Sequence, residues 1–239
     1  MNPLVRTSKH LGAIAVAAAL FTGSASALSI NVVNYSFELD NAGGAGGVVQ
    51  SVPTGWTQYN RVGGSDIGSQ NPNNSQFPIN NPLASPAQGN QFAYINTFDN
   101  NPGGISGIYQ SVGALQPNTI YTLTVAIGSR ADRINTAGTI SLINGLNPIT
   151  GTILATGGGL PATQGTWEDY TISFQTGASV DGMLTIALSS VAAGTIQADF
   201  DNVRLDAVAV PEPELYGLAL AGLIGVIVWR RRARRPAMQ

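Results

Sequence analysis

Apolar and polar residues alternate with a period of two through the middle of this chain. From Ile120 to Ser129, Tyr121, Leu123, Val125 and Ile127 share one parity while Thr122, Thr124 and Ala126 hold the other, which predicts a strand with one face in a core. Tyr170, Ile172 and Phe174 alternate with Thr171 and Ser173, and Leu184, Ile186 and Leu188 with Thr185 and Ala187. Residues 91–97, 105–112, 139–143 and 152–155 add shorter candidates, and no part of residues 28–209 keeps helical periodicity for three turns. Turn residues recur between these segments, so the pattern predicts an all-β domain of about eight to ten strands, a two-sheet antiparallel jelly-roll sandwich.

The last predicted strand breaks phase. Ile196, Ala198 and Phe200 share one parity, but Val203 and Leu205 share the other. A β-bulge at Asp201-Asn202 reconciles the two halves, and bulges re-aim side chains, which makes Asp201 a candidate ligand in a special backbone site. The segments 63–90 and 96–104 are rich in Asn, Pro, Gly and Ser. They are expected to add nothing to a core, and they read either as disordered surface loops or as a rim of Asn amides for ligand hydroxyls.

The two ends carry a different pattern. Arg6, Lys9 and His10 precede the apolar run 11–21, and Ala25-Ser26-Ala27 follows, the order of a signal peptide that signal peptidase removes after residue 27. At the other end, Val210-Pro211-Glu212-Pro213 leads into fifteen uncharged residues, 215–229, and then Arg230, Arg231, Arg232, Arg234 and Arg235. At 1.5 Å per residue this run spans about 22 Å, short for a transmembrane helix, although Tyr216 and Trp229 at the interfaces and snorkelling arginines make up much of the deficit. The Arg cluster acts as a stop-transfer signal held in the cytoplasm. This three-part tail, residues 210–235, resembles the PEP-CTERM sorting signal. The resemblance implies inner-membrane anchoring with the domain in the periplasm, cleavage by an exosortase, and delivery to the envelope or extracellular matrix of a Gram-negative bacterium.

Between the two signals lies one domain, residues 28–209, with eleven acids against four arginines and no lysine, a net charge of −7 that the whole-chain value of −2 conceals. Such a domain lacks the basic stripe that nucleic acid requires. It also has no cysteine, and the chain's one histidine, His10, falls in the signal peptide. A nucleophilic triad in its usual form, a His metal site and a lysine Schiff base are all excluded, leaving carboxylates, hydroxyls and aromatic rings.

A second resemblance covers the domain. Asn34-Tyr35-Ser36-Phe37-Glu38, Pro53 with Gly55-Trp56, the strand through Tyr121–Ile127 and the closing Phe200-Asp201-Asn202-Val203-Arg204-Leu205 stand in the order seen in galactose-binding-like carbohydrate-binding modules. The resemblance implies a structural Ca²⁺ held by Glu38 and Asp201, with Asp40 and Asp199 as weaker candidates. The same two carboxylates are otherwise solvated or paired with Arg204. For sugar contact the available rings are Trp167, Tyr59, Tyr94 and Tyr109, since stacking supplies affinity where hydrogen bonds only exchange with water. Trp167 has the parity opposite to Tyr170, Ile172 and Phe174 and so points out of the core, whereas Trp56 is read as a core residue. Arg130 is a candidate for acidic polysaccharide, or for an ion pair with Asp132.

The expected function is a non-enzymatic, exported module that binds or is embedded in exopolysaccharide. The alternatives are a purely structural or adhesive matrix protein, and a glycoside hydrolase working with carboxylates alone.

Overall fold

The computed structural model describes residues 26–59, 65–80, 82–97, 105–191, 196–210, 222, 224–227 and 229. Among them run twelve strands: β1 (Leu28–Ile30), β2 (Val48–Val49), β3 (Thr57–Tyr59), β4 (Ser65–Gln70), β5 (Phe92–Thr97), β6 (Ile105–Ala114), β7 (Thr119–Ser129), β8 (Gly138–Asn144), β9 (Thr152–Gly159), β10 (Thr166–Gln175), β11 (Met183–Val191) and β12 (Ile196–Ala209). The period-two segments are all strands, and the expected count of eight to ten falls short because β1, β2 and β3 are only two or three residues long.

The strands form two antiparallel sheets. One has the order β10-β7-β12-β5-β4-β2, with β1 beside the second half of β12, and the other has the order β3-β6-β11-β8-β9. Alternation then decides which side chains meet between them. Leu123, Val125, Ile127, Phe200 and Leu205 from the larger sheet face Ile108, Ile140, Leu142, Ile186 and Leu188 from the smaller one, all fully buried. Phe37 and Trp56 close one side, their ring centroids 5.6 Å apart, so Trp56 is a core residue as expected. Each of these large side chains contributes about 1.5–3 kcal/mol by leaving water.

β12 carries the bulge read from its phase slip. Its register against β7 shifts between Asp201 and Arg204, and Asn202 has φ of 46°, a left-handed conformation that asparagine tolerates better than most residues. Before the bulge β12 lies between β7 and β5, and after it between β7 and β1. Gln197, Asp199 and Asp201 therefore all project from the outer face of the larger sheet.

That outer face is covered, against expectation. Residues 71–80 and 82–91 fold over it and bury Phe77, Leu83 and Ala87 in a second apolar cluster with Phe92, Tyr94, Ala126 and Trp167. Composition alone pointed to a loop with no core of its own. The correction comes from three apolar anchors spaced through polar sequence, and from side-chain amides that satisfy the backbone: Asn73 Oδ1 accepts from Ser75 N at 3.0 Å, and Gln76 Oε1 accepts from Asn73 N at 2.9 Å.

Most of the two ends lies outside the described residues. Residues 1–25 of the expected signal peptide, Pro211, Glu212 and Pro213, and the Arg cluster lie outside the described residues, as does most of the expected span 215–229. Residues 222, 224–227 and 229 are helical, and among the described residues no helix is long and apolar enough to cross a membrane. Val210 donates its amide to the Asn118 carbonyl at 2.6 Å, so the first residue of the expected sorting motif is tied to the sandwich.

Candidate active site

Strand pairing sets five residues in one row on the covered face: Gly68 of β4, Tyr94 of β5, Asp199 of β12, Gly128 of β7 and Trp167 of β10. Gly128 has no side chain because none fits. A Cβ there would lie 2.8 Å from the far edge of the Trp167 indole and 3.0 Å from Phe77 Cζ. The indole thus lies across the sheet, stacked on Phe77 at 4.7 Å, with Phe92 edge-on to both rings at 5.5 Å. Trp167 does leave the main core as its parity requires, but the 71–91 segment buries it, so it is no open sugar platform. Its Nε1–H has no hydrogen-bond partner.

Asp199 sits at the centre of the row, fully buried. Its Oδ1 accepts a short hydrogen bond from Gln197 Nε2, and its Oδ2 is without a partner. Burial outweighs the nearby charge of Arg130 and lifts its carboxyl to a pKa of about 7, because the charged form loses its hydration. Two unpartnered polar atoms, Asp199 Oδ2 and Trp167 Nε1, therefore share one enclosed face. Groups of this kind are rare in folded proteins and cost free energy where nothing meets them.

Arg130 forms the roof on the polar side. It is buried; its Nη1 donates to Gln70 Oε1 at 3.0 Å and to Gln197 Oε1 at 3.1 Å, while Nε and Nη2 fork onto Asp132 at 2.9 and 2.8 Å. The ion pair with Asp132, one of the two readings from sequence, is the one present. Gln70 in turn donates to Gln76 of the cover at 3.2 Å. Beyond this network opens a cleft of about 170 Å³ lined by Val48, Gln50, Asp66, Asn96 and Arg133 along with Gln70, Tyr94, Arg130 and Gln197. Tyr94 donates its hydroxyl to Asp66 Oδ2 at 3.2 Å, and burial followed by the Asp66 charge pushes its pKa up.

Of the ring and cation candidates from sequence, Trp167, Tyr94 and Arg130 come together here. Tyr59 and Tyr109 do not. They pack against each other, centroids 6.0 Å apart, on the outer face of the other sheet with Ile143 and Ala187, and burial raises the Tyr59 pKa. Of the five, Tyr94 and Arg130 line the cleft beyond the Gln70 network. In sequence Asp199 is only one of the weaker calcium candidates, although its parity with Gln197 and Asp201 sets three polar side chains on one face.

Glu38 and Asp201 meet on the same loop, which they pin from below. Glu38 Oε1 accepts the amides of Asn90 and Gln91 at 2.7 and 2.6 Å, and Asp201 Oδ2 accepts that of Gln88 at 2.6 Å. Gly89 between them has φ of 78°, and a Cβ there would fall 2.4 Å from Glu38 Oε1. Burial raises the Asp201 pKa well above the usual range, its bonds from the Gln88 and Asn202 amides oppose this, and the Glu38 charge adds to the rise. Asp201 has no ion pair with Arg204, which pairs with Asp169 instead. No group of three or more His, Cys, Asp or Glu able to hold a metal occurs among the described residues. Two carboxylates that repel each other without a paired cation, each with lone pairs to spare, nonetheless fit the hard-oxygen chemistry of calcium.

The comparisons with known proteins decide the family. The family model of HpiC1-like proteins, described as HpiC1 cyclase, matches residues 28–206. The chain belongs to the HpiC1-like family. Solved structures agree with this: an apo form cyclase from Fischerella sp. superposes with a TM-score of 0.68 at 25% identity, covering 78% of this chain and 99% of that one. A Stig cyclase from Fischerella sp. TAU in complex with (3Z)-3-(1-methyl-2-pyrrolidinylidene)-3H-indole gives 0.65 at 26% identity, covering 78% and 100%. A cyclase from the same source in complex with 4-(1H-indol-3-yl)butan-2-one gives 0.62 at 25%, covering 77% and 100%. No curated protein matches the chain.

Membership of the HpiC1-like family overturns the expected function. A non-enzymatic module that binds exopolysaccharide, a purely structural matrix protein and a glycoside hydrolase are all replaced by a cyclase-type domain. The galactose-binding-like motifs reported the sandwich, not the activity, because they lie at β-strand and turn positions that the fold itself requires. The resemblance to sorted surface proteins is likewise not what defines the domain, since the family match ends at residue 206 and the tail follows it.

Proposed function

We propose that this protein is a cyclase that closes a ring within an apolar, aromatic substrate, with Asp199 as its proton-transfer group. Ring closure of this kind is an isomerisation. It needs no leaving group and no co-reactant, only an acid to generate an electron-poor carbon, a lining that stabilises positive charge, and a base to take a proton back. The domain's chemical inventory, carboxylates and rings without Cys, His or Lys, suits that demand. Phe77, Phe92, Tyr94 and Trp167 supply faces that attract cationic charge. The observation that carries the reading is the free Oδ2 of Asp199, buried beside those rings. The indole compounds bound by the Fischerella cyclases support an indole-like ring as the apolar part of the substrate.

The test is incubation of the purified protein with alkenyl-indoles, followed by chromatography for a product of unchanged mass. Asp199→Asn should lower its formation by about 10²-fold or more, the scale of general acid–base catalysis, while 4-(1H-indol-3-yl)butan-2-one still binds. Turnover that survives Asp199→Asn would remove Asp199 from the mechanism.

We infer further that Glu38 and Asp201, with backbone oxygens of the 83–91 loop, hold a structural calcium ion that fixes the cover over the site. The ion would supply charge compensation for two carboxylates brought together by folding. Export is proposed from the terminal sequences alone: removal of residues 1–27 by signal peptidase, anchoring through 215–229, and release by an exosortase near Pro211-Glu212-Pro213 to the envelope or matrix. Fractionation of cells with and without the tail tests it, and a cytoplasmic protein in both would refute it.

A further inference from the structure

The Arg130 guanidinium has hydrogen-bond donors and no acceptor, so an amide bonded to it must present its oxygen. Nη1 donates to Gln70 Oε1 and to Gln197 Oε1, which turns both side-chain amide nitrogens away from the arginine. Gln70 then donates to Gln76 of the cover, and Gln197 donates to Asp199 Oδ1. One residue ties the partners together. Asn135 Oδ1 accepts from Arg130 N at 3.1 Å, its Nδ2 donates to the Arg130 carbonyl at 2.8 Å, and its backbone bridges to Gln197. Gln197 and Asp199 stand two apart on β12, on one face of the sheet, where the amide meets the carboxyl group side by side.

We infer that Arg130 and Gln197 are positioning residues that decide which oxygen of Asp199 carries its proton. An amide N–H is best met by the carbonyl oxygen of a neutral carboxyl group, so Oδ1 is the acceptor and the acidic hydrogen sits on Oδ2. Oδ2 is the oxygen without a partner, on the face that also holds the Trp167, Phe77 and Phe92 rings. A lone carboxyl group shares its proton between two equivalent oxygens; here a fixed donor makes them unequal. This rests on the cyclase reading above and names what aims its acid. Against the burial that favours the neutral acid stand the Arg130 charge, the Gln197 hydrogen bond and the Arg133 charge, with the Asp132 charge on the side of burial. Tyr94, opposite Asp199 on β5, gives its hydroxyl to Asp66 instead.

Carbon-13 NMR of the full chain, labelled at the aspartate carboxyl carbons, follows the titration of Asp199, whose signal is recognised by its loss in Asp199→Asn. Gln197→Leu removes a donor to the charged form, so the midpoint should rise by about one pH unit from its native value of about 7, the scale of one hydrogen bond to a charged group. Turnover of alkenyl-indoles needs the protonated acid and is lost as pH rises through the midpoint, so its alkaline limb should move up equally. Well below both midpoints the acid is fully protonated in either protein, and Gln197→Leu should still be slower by about tenfold, a part of what general acid catalysis supplies, because the proton is no longer held on Oδ2. Gln197→Glu keeps the shape and should be at least as slow, since its carboxyl group competes for the proton at Oδ1. A midpoint that does not move in Gln197→Leu overturns the inference, because a merely structural glutamine would change melting alone. Equal turnover at full protonation overturns it too. The midpoint needs no substrate, so it decides for or against the Gln197–Asp199 link even where no alkenyl-indole is turned over, an outcome that would count against the cyclase reading alone.

Discussion

Asp199 and Trp167 flank one residue, Gly128, which pairs with Asp199 across β12 and with Trp167 across β10. A single backbone position thus sets how near the indole comes to the carboxylate. Gly128→Ala puts a methyl 2.8 Å from the ring, inside contact distance, and overpacking of this kind costs about 1–3 kcal/mol. The expected outcome is a lower melting temperature together with more than tenfold loss of ring closure. A variant that retains full turnover would show that the ring's placement is irrelevant to the reaction.

Asp199→Asn should separate stability from activity. A buried carboxylate with one unpartnered oxygen is a cost to the fold, and the amide keeps the shape while removing the charge. Melting at neutral pH is expected to be unchanged or raised, with turnover lost. A large fall in melting temperature would recast Asp199 as a structural residue.

Trp167→Ala removes the ring that Phe77 stacks on and Phe92 meets edge-on. Large-to-small changes of this type cost about 3–5 kcal/mol. Because the lost contacts lie between the sheet and residues 71–91, limited proteolysis should cut first within that segment. Initial cleavage elsewhere would mean that the cover is held by its carboxylate bonds alone.

Calcium should raise the melting temperature of the native protein and a chelator should lower it, by about 2.7 kcal/mol of stabilisation at one hundred times the dissociation constant. Glu38→Gln should abolish the difference. Identical melting curves with calcium and with chelator would restrict Glu38 and Asp201 to their role as acceptors for the 88–91 amides.

The fold was legible where burial is one-sided. Tyr121 to Ile127 and Tyr170 to Phe174 announce their inward faces by alternation, and the slip between Phe200 and Val203 located the bulge at Asp201-Asn202. The site was legible only in part, because it is made by tertiary cover. Nothing local in Phe77, Leu83 and Ala87, set among Asn, Pro and Ser, tells that they land on β5, β7 and β10, and without that cover Asp199 reads as one more solvated acid. Trp167 shows the same limit: parity gave its direction correctly, but not that something lies above it. Arg130 was ambiguous for a related reason, as its pairing with Asp132 is local in sequence while its bonds to Gln70 and Gln197 are not.

The composition of residues 71–91 has a consequence for the history of such proteins. The cover meets the sheet through a few apolar side chains and a handful of amide bonds, and it contributes nothing to the interior between the sheets. It can therefore accept insertions, deletions and exchanges while the sandwich stays intact, so new substrate preferences in descendants of this chain are reachable through one interchangeable surface segment.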